Sequence, residues 1–209
     1  MRLRKKKNLD IRMERCAHIL VEQPPAFKGQ WRDKMNYTDL SVELGCGKGL
    51  FTVETAKVEP NTLIVAIEKL AGAMIAALER TCVEDVQNVR YINAIADNIT
   101  EYFAPGEVSR IYINFCDPWP ANSHEKRRLT SRRFLSLYSQ VLSQGAQVHF
   151  KTDNYALFDY SLREFEHCGY KLLDMTRNLH ENGPVGIMTD YEKRFYAEGK
   201  PICRAVICT

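Results

Sequence analysis

The 209-residue chain has no apolar run of the length a bilayer span needs, so no membrane partner is expected. Its basic start, MRLRKKKNLDIRMER, is not followed by the apolar stretch of a secretory signal. Export is therefore not expected, and a cytoplasmic location is. The seven cysteines (16, 46, 82, 116, 168, 203 and 208) are odd in number and contain no C-x-x-C pair. No histidine stands at ligand spacing from them, so neither a disulfide framework nor a metal site is expected. Buried thiols in a reducing compartment are the expected state. Internal repeats and low-complexity segments are also missing. At this length one well-buried domain is expected and two large ones are excluded.

Charge is present in patches rather than in bulk. The net charge is only +3, yet residues 1–15 hold Arg2, Arg4, Lys5, Lys6, Lys7, Arg12 and Arg15 against Asp10 and Glu14. A second cluster, Lys126, Arg127, Arg128, Arg132 and Arg133, places five cations within eight residues. Either patch alone reads as solvated surface or as a polyanion footprint; two in a chain this size favour a polyanion. The chain divides into a basic arm or helical extension over 1–35 and a main domain over 36–209.

The main domain alternates strands and helices. LSVEL at 40–44 reads as a strand ending in glycines, 50–58 as a helix, and TLIVAIE at 62–68 as a strand buried on both faces. LAGAMIAALERT at 70–81 reads as a helix, with strands VRYIN at 89–93 and RIYINF at 110–115. Thr130 is the expected N-cap of a helix over 131–143, with Gly145 as its stop signal. AQVHFKT at 146–152 is a fifth strand, YALFDYSLREFEHC a helix, and two more strands are expected near 170–175 and 202–208. The predicted fold is Rossmann-like α/β: a mainly parallel seven-stranded sheet with helices on both faces. Ligands of such sheets bind beyond the strand carboxyl ends.

Two of those ends carry a cofactor signal. The first strand runs out as Glu43-Leu44-Gly45-Cys46-Gly47-Lys48-Gly49, where glycines permit positive φ and close backbone approach. The second ends at Glu68, whose carboxylate offers paired acceptors to the hydroxyls of a ribose. A dinucleotide site usually carries G-x-G-x-x-G for its pyrophosphate; this loop is G-x-G-x-G and has Glu43 beside it. A carboxylate there suits a sulfonium and an ammonium, so a methyl donor, S-adenosyl-L-methionine, is the better reading. The third strand's end, Asn93-Ala94-Ile95-Ala96-Asp97, borders the expected adenine, with Ile95 and Ala96 facing the base or serving the turn.

The fourth strand runs into Asn114-Phe115-Cys116-Asp117-Pro118-Trp119-Pro120. The prolines stiffen the turn and hold Asp117 where methyl donor and acceptor should meet. Trp119 offers a stacking face or packs into the core. His124 and the cations Lys126, Arg127 and Arg128 follow directly, where a phosphate backbone needs neutralising, although a solvated helix entrance is the competing reading. Lys151-Thr152-Asp153-Asn154 closes the fifth strand, and Asp153 either faces the site or caps the next helix.

The series ELGCGKG, AIEKL, INFCDPWP, HEKRRLT, KTDNYALFDYSL and TDYEKRFYAEGKPI closely resembles the bacterial tRNA (guanine-N7-)-methyltransferase family, in order and over nearly the whole chain. The resemblance implies transfer of a methyl group from S-adenosyl-L-methionine to N7 of a guanine in the tRNA variable loop. It implies that Glu43, Glu68 and Asp117 contact the cofactor, with Asp117 central to catalysis, and that Asp153, Thr189, Asp190, Tyr191 and Glu192 bind substrate. Three positions depart from the family pattern: Ala121 and Ser123 replace a lysine and an arginine, and Ile95 replaces an acidic residue. They leave room for a tRNA-binding homologue that methylates weakly, or for a methyltransferase of another nucleic-acid position. The sequence is compatible with a monomer or a homodimer.

Overall fold

Continuous aliphatic strands need cover on both faces, and they have it: Leu40 and Val42, like Leu63, Ile64, Val65 and Ala66, expose nothing to solvent. The structure is a computed structural model and describes residues 7–209. Arg2, Arg4, Lys5 and Lys6 of the basic arm lie outside the described residues.

The strands are β1 (Asp39–Leu44), β2 (Thr62–Ile67), β3 (Val89–Ile92), β4 (Val108–Asn114), β5 (Leu142–Thr152), β6 (Lys171–Thr176) and β7 (Cys203–Cys208). They form one seven-stranded sheet in the order β3-β2-β1-β4-β5-β7-β6. The first five run parallel, and β7 is antiparallel to both neighbours. The helices are α1 (Leu9–Arg15), α2 (Trp31–Met35), α3 (Leu50–Val58), α4 (Ala71–Val83), α5 (Ile99–Tyr102), α6 (Arg132–Val141), α7 (Tyr155–His167) and α8 (Asp190–Ala197). The expected fold is the observed one.

Connections diverge on either side of β1. From it the chain steps outward through β2 to β3, then returns to β4 on β1's other edge, which opens a crevice above β1. Leu44 is level with both Ile67 and Ile113, so the loops after β1, β2 and β4 leave the sheet along one rim.

Two apolar clusters sandwich the sheet. One gathers Trp31, Phe103, Phe134, Tyr138, Phe150 and Phe158; the other gathers Met74, Ile75, Leu78, Val53 and Tyr91. The segment before β1 packs into both. Trp31 is fully buried and donates its indole N–H to the Tyr102 carbonyl at 2.9 Å. Arg12 of α1 grips Glu79 of α4 through two hydrogen bonds, at 2.6 and 2.5 Å.

Two local expectations need correction. Thr130 does not cap α6: it is fully buried, and its hydroxyl accepts from Ser161 Oγ at 2.7 Å. Ser131 holds the N-cap position without a side-chain cap bond, and Glu164 of α7 accepts from the Arg132 N–H at 3.1 Å. A distant carboxylate supplies what a local hydroxyl was expected to supply, and it also favours the helix dipole. Gly145 does not stop the helix either. α6 ends at Val141, and Gly145 lies within β5 at φ 73°, beside the register shift against β4.

Candidate active site

The rim above β1 opens into a cleft of about 640 Å³ lined from the ends of β1, β2, β3 and β4 and from the start of α8. Glu43, the penultimate residue of β1, lies at its floor and is 2% exposed. Its two oxygens accept from Thr52 Oγ1 of α3 at 2.5 Å and from Asn114 Nδ2 of β4 at 3.2 Å. Burial pushes the Glu43 carboxyl up to about 7, although both hydrogen bonds and nearby Lys151 pull the other way. Beside it, Asn114 Oδ1 is a buried acceptor without a hydrogen-bond partner among the described residues. A buried carboxyl and an orphaned carbonyl oxygen at one point form a receptor for a group with several N–H donors, such as an ammonium.

The glycine loop follows. Gly47, at φ 58°, turns its N–H to Glu68 Oε2 at 3.1 Å, and Leu70 donates to Glu68 Oε1 at 2.8 Å. Glu68 is thus held by two backbone amides with lone pairs left for a diol. Gly45 and Gly47 line the cleft, whereas Gly49 does not. Gly49 sits at φ 76° where α3 begins, and a Cβ there would come within 2.5 Å of Ala77 Cβ on α4. The absent Cβ lets the loop pack closely on α4. Ile95 and Ala96 line the cleft beyond β3, and Ile95 is 48% exposed.

The loop after β4 carries Asp117 to the same cleft. Phe115 and Trp119 adopt φ 52° and 42°, uncommon for aromatic residues, and the turn they make is braced from outside. Arg128 donates to the Pro118 and Trp119 carbonyls at 3.0 to 3.2 Å while lying over the Tyr160 ring. Trp119 lines the cleft and is half-buried. Arg127 covers its ring at 5.0 Å, and His124 meets it edge-on.

The five-cation cluster divides on folding. Arg128 is committed to the turn, Arg132 to Glu164 and Arg133 to Asp97. Lys126 and Arg127 remain exposed, and neither has an ion-pair partner among the described residues. Arg127 lines the cleft, as does Arg194 of α8, which also pairs with Glu198 at 3.8 Å; sequence reasoning missed Arg194 because it lies far along the chain.

From α8, Thr189, Asp190 and Tyr191 line the cleft, and Tyr191 is 59% exposed. Glu192 does not: it is fully buried. Thr189 and Glu192 form a reciprocal capping box, and Glu192 also accepts from Lys151 Nζ at 3.0 Å and pairs with His180 at 3.0 Å. The T-x-x-E spacing carries this signal in the sequence. Asp153 is exposed and outside the cleft lining; Asn154, not Asp153, caps α7 by accepting from the Leu157 N–H at 2.8 Å. No group of three or more metal-ligating side chains occurs among the described residues.

The arrangement therefore offers an ammonium receptor, a ribose clamp and an exposed carboxylate around one cleft, with cations at its mouth. Comparison with known proteins agrees with that chemistry. A family model described as "Putative methyltransferase" matches residues 38–205. The chain is 41% identical to the tRNA (guanine-N(7)-)-methyltransferase of Bacillus subtilis (strain 168), covering 99% of this chain and 98% of that one. It is 40% identical to the protein of the same name from Geobacillus kaustophilus (strain HTA426), covering 99% and 97%. Among solved structures it resembles the 16S rRNA methyltransferase KamB, with a TM-score of 0.67 at 16% identity over 86% of this chain and 92% of that one, a likeness of fold.

Proposed function

We infer, for a chain that belongs to the tRNA (guanine-N(7)-)-methyltransferase family, that this cleft brings S-adenosyl-L-methionine together with a guanine of the tRNA variable loop. The protein is an S-adenosyl-L-methionine-dependent methyltransferase acting on guanine N7 in tRNA. The observation that carries the site assignment is the convergence of Glu43, Glu68 and Asp117 on one cleft. A cytoplasmic location follows from the substrate, and no described helix is long and apolar enough to cross a membrane.

When bound, the cofactor supplies an electrophilic methyl group on a cationic sulfur. Glu43 and the free Asn114 Oδ1 receive its ammonium, and Glu68 receives the ribose hydroxyls. Guanine N7 has an in-plane lone pair and is not protonated, so no side chain needs to remove a proton. The protein's work is alignment and charge stabilisation. Asp117 accepts from the guanine N–H edge and offsets the positive charge that arrives on the ring. Lys126, Arg127 and Arg194 neutralise phosphates at the mouth.

Glu43 makes the first half of this pH-dependent. Burial raises its carboxyl to about 7, above its ordinary 4.5. Without cofactor the fold therefore loses stability as pH rises from about 4.5 to about 7, because the unfolded chain ionises first. An ammonium prefers the ionised form, so cofactor binding strengthens over the same limb and levels off above it. We expect about tenfold tighter binding at pH 8 than at pH 6, and a weak, pH-independent affinity for Glu43→Gln. Calorimetric titration across that range checks it. A wild-type affinity flat from pH 6 to 8 removes Glu43 from the ammonium site.

Incubation with methyl-labelled S-adenosyl-L-methionine and unmodified tRNA, followed by nucleoside analysis, tests the activity. The expected product is 7-methylguanosine from the variable loop. Cofactor binding without label in tRNA, or label on any other atom, overturns the reading.

A further inference from the structure

Unlike Glu43 and Glu68, Asp117 is held by no backbone amide and no buried side chain among the described residues. Its side chain is 66% exposed. Lys69 Nζ, at 3.4 Å from Oδ2, is its single hydrogen-bond partner among the described residues, and Oδ1 has none. Lys69 is equally uncommitted: its ammonium makes no other hydrogen bond among the described residues, and its side chain is 51% exposed. An ion pair this exposed adds little to stability.

Its placement is unusual. Lys69 follows β2 and Asp117 follows β4, and β1 lies between those strands. The pair thus bridges strand ends two spacings, about 10 Å, apart, on the cleft that the glycine loop also lines. The root of Lys69 is fixed. Glu68 before it is clamped by the Gly47 and Leu70 amides, and its carbonyl accepts from Asn93 Nδ2 at 2.7 Å. The rim that grips the ribose is in this way tied to the carboxylate that faces the acceptor.

We propose that Lys69 is a positioning residue for methyl transfer, holding Asp117 Oδ2 across the cofactor groove so that Oδ1 stays free for the N–H edge of the acceptor base. The proposal rests on the role assigned to Asp117. A carboxylate on an exposed loop rotates freely about its χ angles, and one fixed oxygen removes most of that freedom before the base arrives. Nothing in the ELGCGKG or DPWP segments encodes this contact, since 48 residues separate its ends.

The test compares Lys69→Met, Lys69→Arg, Asp117→Asn and the double variant Lys69→Met/Asp117→Asn in the full chain. Steady-state methyl transfer to tRNA is measured alongside cofactor affinity and thermal stability. Lys69→Met is expected to lower kcat by about threefold to fivefold, the most an exposed pair delivers. KM for tRNA and cofactor Kd are expected to stay within about twofold. Lys69→Arg, which keeps the charge, restores kcat. In the Asp117→Asn background, Lys69→Met has no further effect. Unchanged kcat in Lys69→Met overturns the proposal, as does a raised tRNA KM at constant kcat, which marks a phosphate contact. Equal loss in Lys69→Arg and Lys69→Met overturns it too. If Asp117→Asn keeps full activity, the role of Asp117 itself fails; if it loses activity while Lys69→Met does not, only the role of Lys69 fails.

Discussion

Replacing Asp117 with alanine is expected to slow methyl transfer to tRNA by about a hundredfold to a thousandfold, the range for removing one preorganised electrostatic group. Cofactor affinity should fall by less than about fivefold, because Glu43, Asn114 and Glu68 remain in place. The fold should not notice. Asp117 is exposed, so its removal leaves no buried polar group without a partner, and such surface changes stay within about 0.5 kcal/mol. Single-turnover methylation at saturating cofactor separates chemistry from binding. Equal losses in transfer rate and cofactor affinity would mean that Asp117 chiefly holds the cofactor.

Glu192→Ala is expected to act in the opposite way, through the fold. Glu192 is fully buried between Lys151 and His180, and its oxygen also accepts from the Thr189 N–H at 3.1 Å. Lys151 is largely enclosed, and burial already pulls its ammonium below the ordinary lysine range while Glu192 pushes it back up. Without Glu192 that ammonium keeps, among the described residues, the Ile187 carbonyl at 2.8 Å and the face of the Phe51 ring at 5.4 Å. Breaking a buried pair by removing one partner costs about 3–5 kcal/mol, or about 10 °C in Tm for a chain of this size. The start of α8 loses the Glu192 half of its capping box at the same time, while the Thr189 hydroxyl still accepts from the backbone N–H of residue 192, so Tyr191 and Arg194 at the cleft loosen only in part. Chemical denaturation measures the first effect. A variant of unchanged stability that still fails to bind tRNA would show that Glu192 meets the substrate directly.

These two acidic residues illustrate how much could be read in advance. Both stand in motifs that carry the family resemblance, and both were expected to touch ligands. The DPWP turn reached the cleft because proline stiffness is local and β4 ends just before it. For Glu192 the same sequence signal has a second, local reading, the capping box, which the fold realises. The five-cation cluster shows the same limit. Arg132 and Arg133 are spent on Glu164 and Asp97, which lie 32 and 36 residues away. No pattern within the cluster tells them apart from Lys126 and Arg127.

The sequence alone determined the alternation of strands and helices, the buried parallel sheet, the glycine loop after β1 and the carboxylates at three strand ends. Each of these is set by residues within a few positions of one another, through side-chain shape, backbone freedom and hydrophobic period. Tertiary structure decided which charges are free and which are consumed, that Asn114 presents an unpaired oxygen beside Glu43, and that Lys69 meets Asp117. Those outcomes depend on strand order, which brings β2 and β4 to either side of β1, and Coulomb and hydrogen-bond energies respond to distance in space, not to separation along the chain.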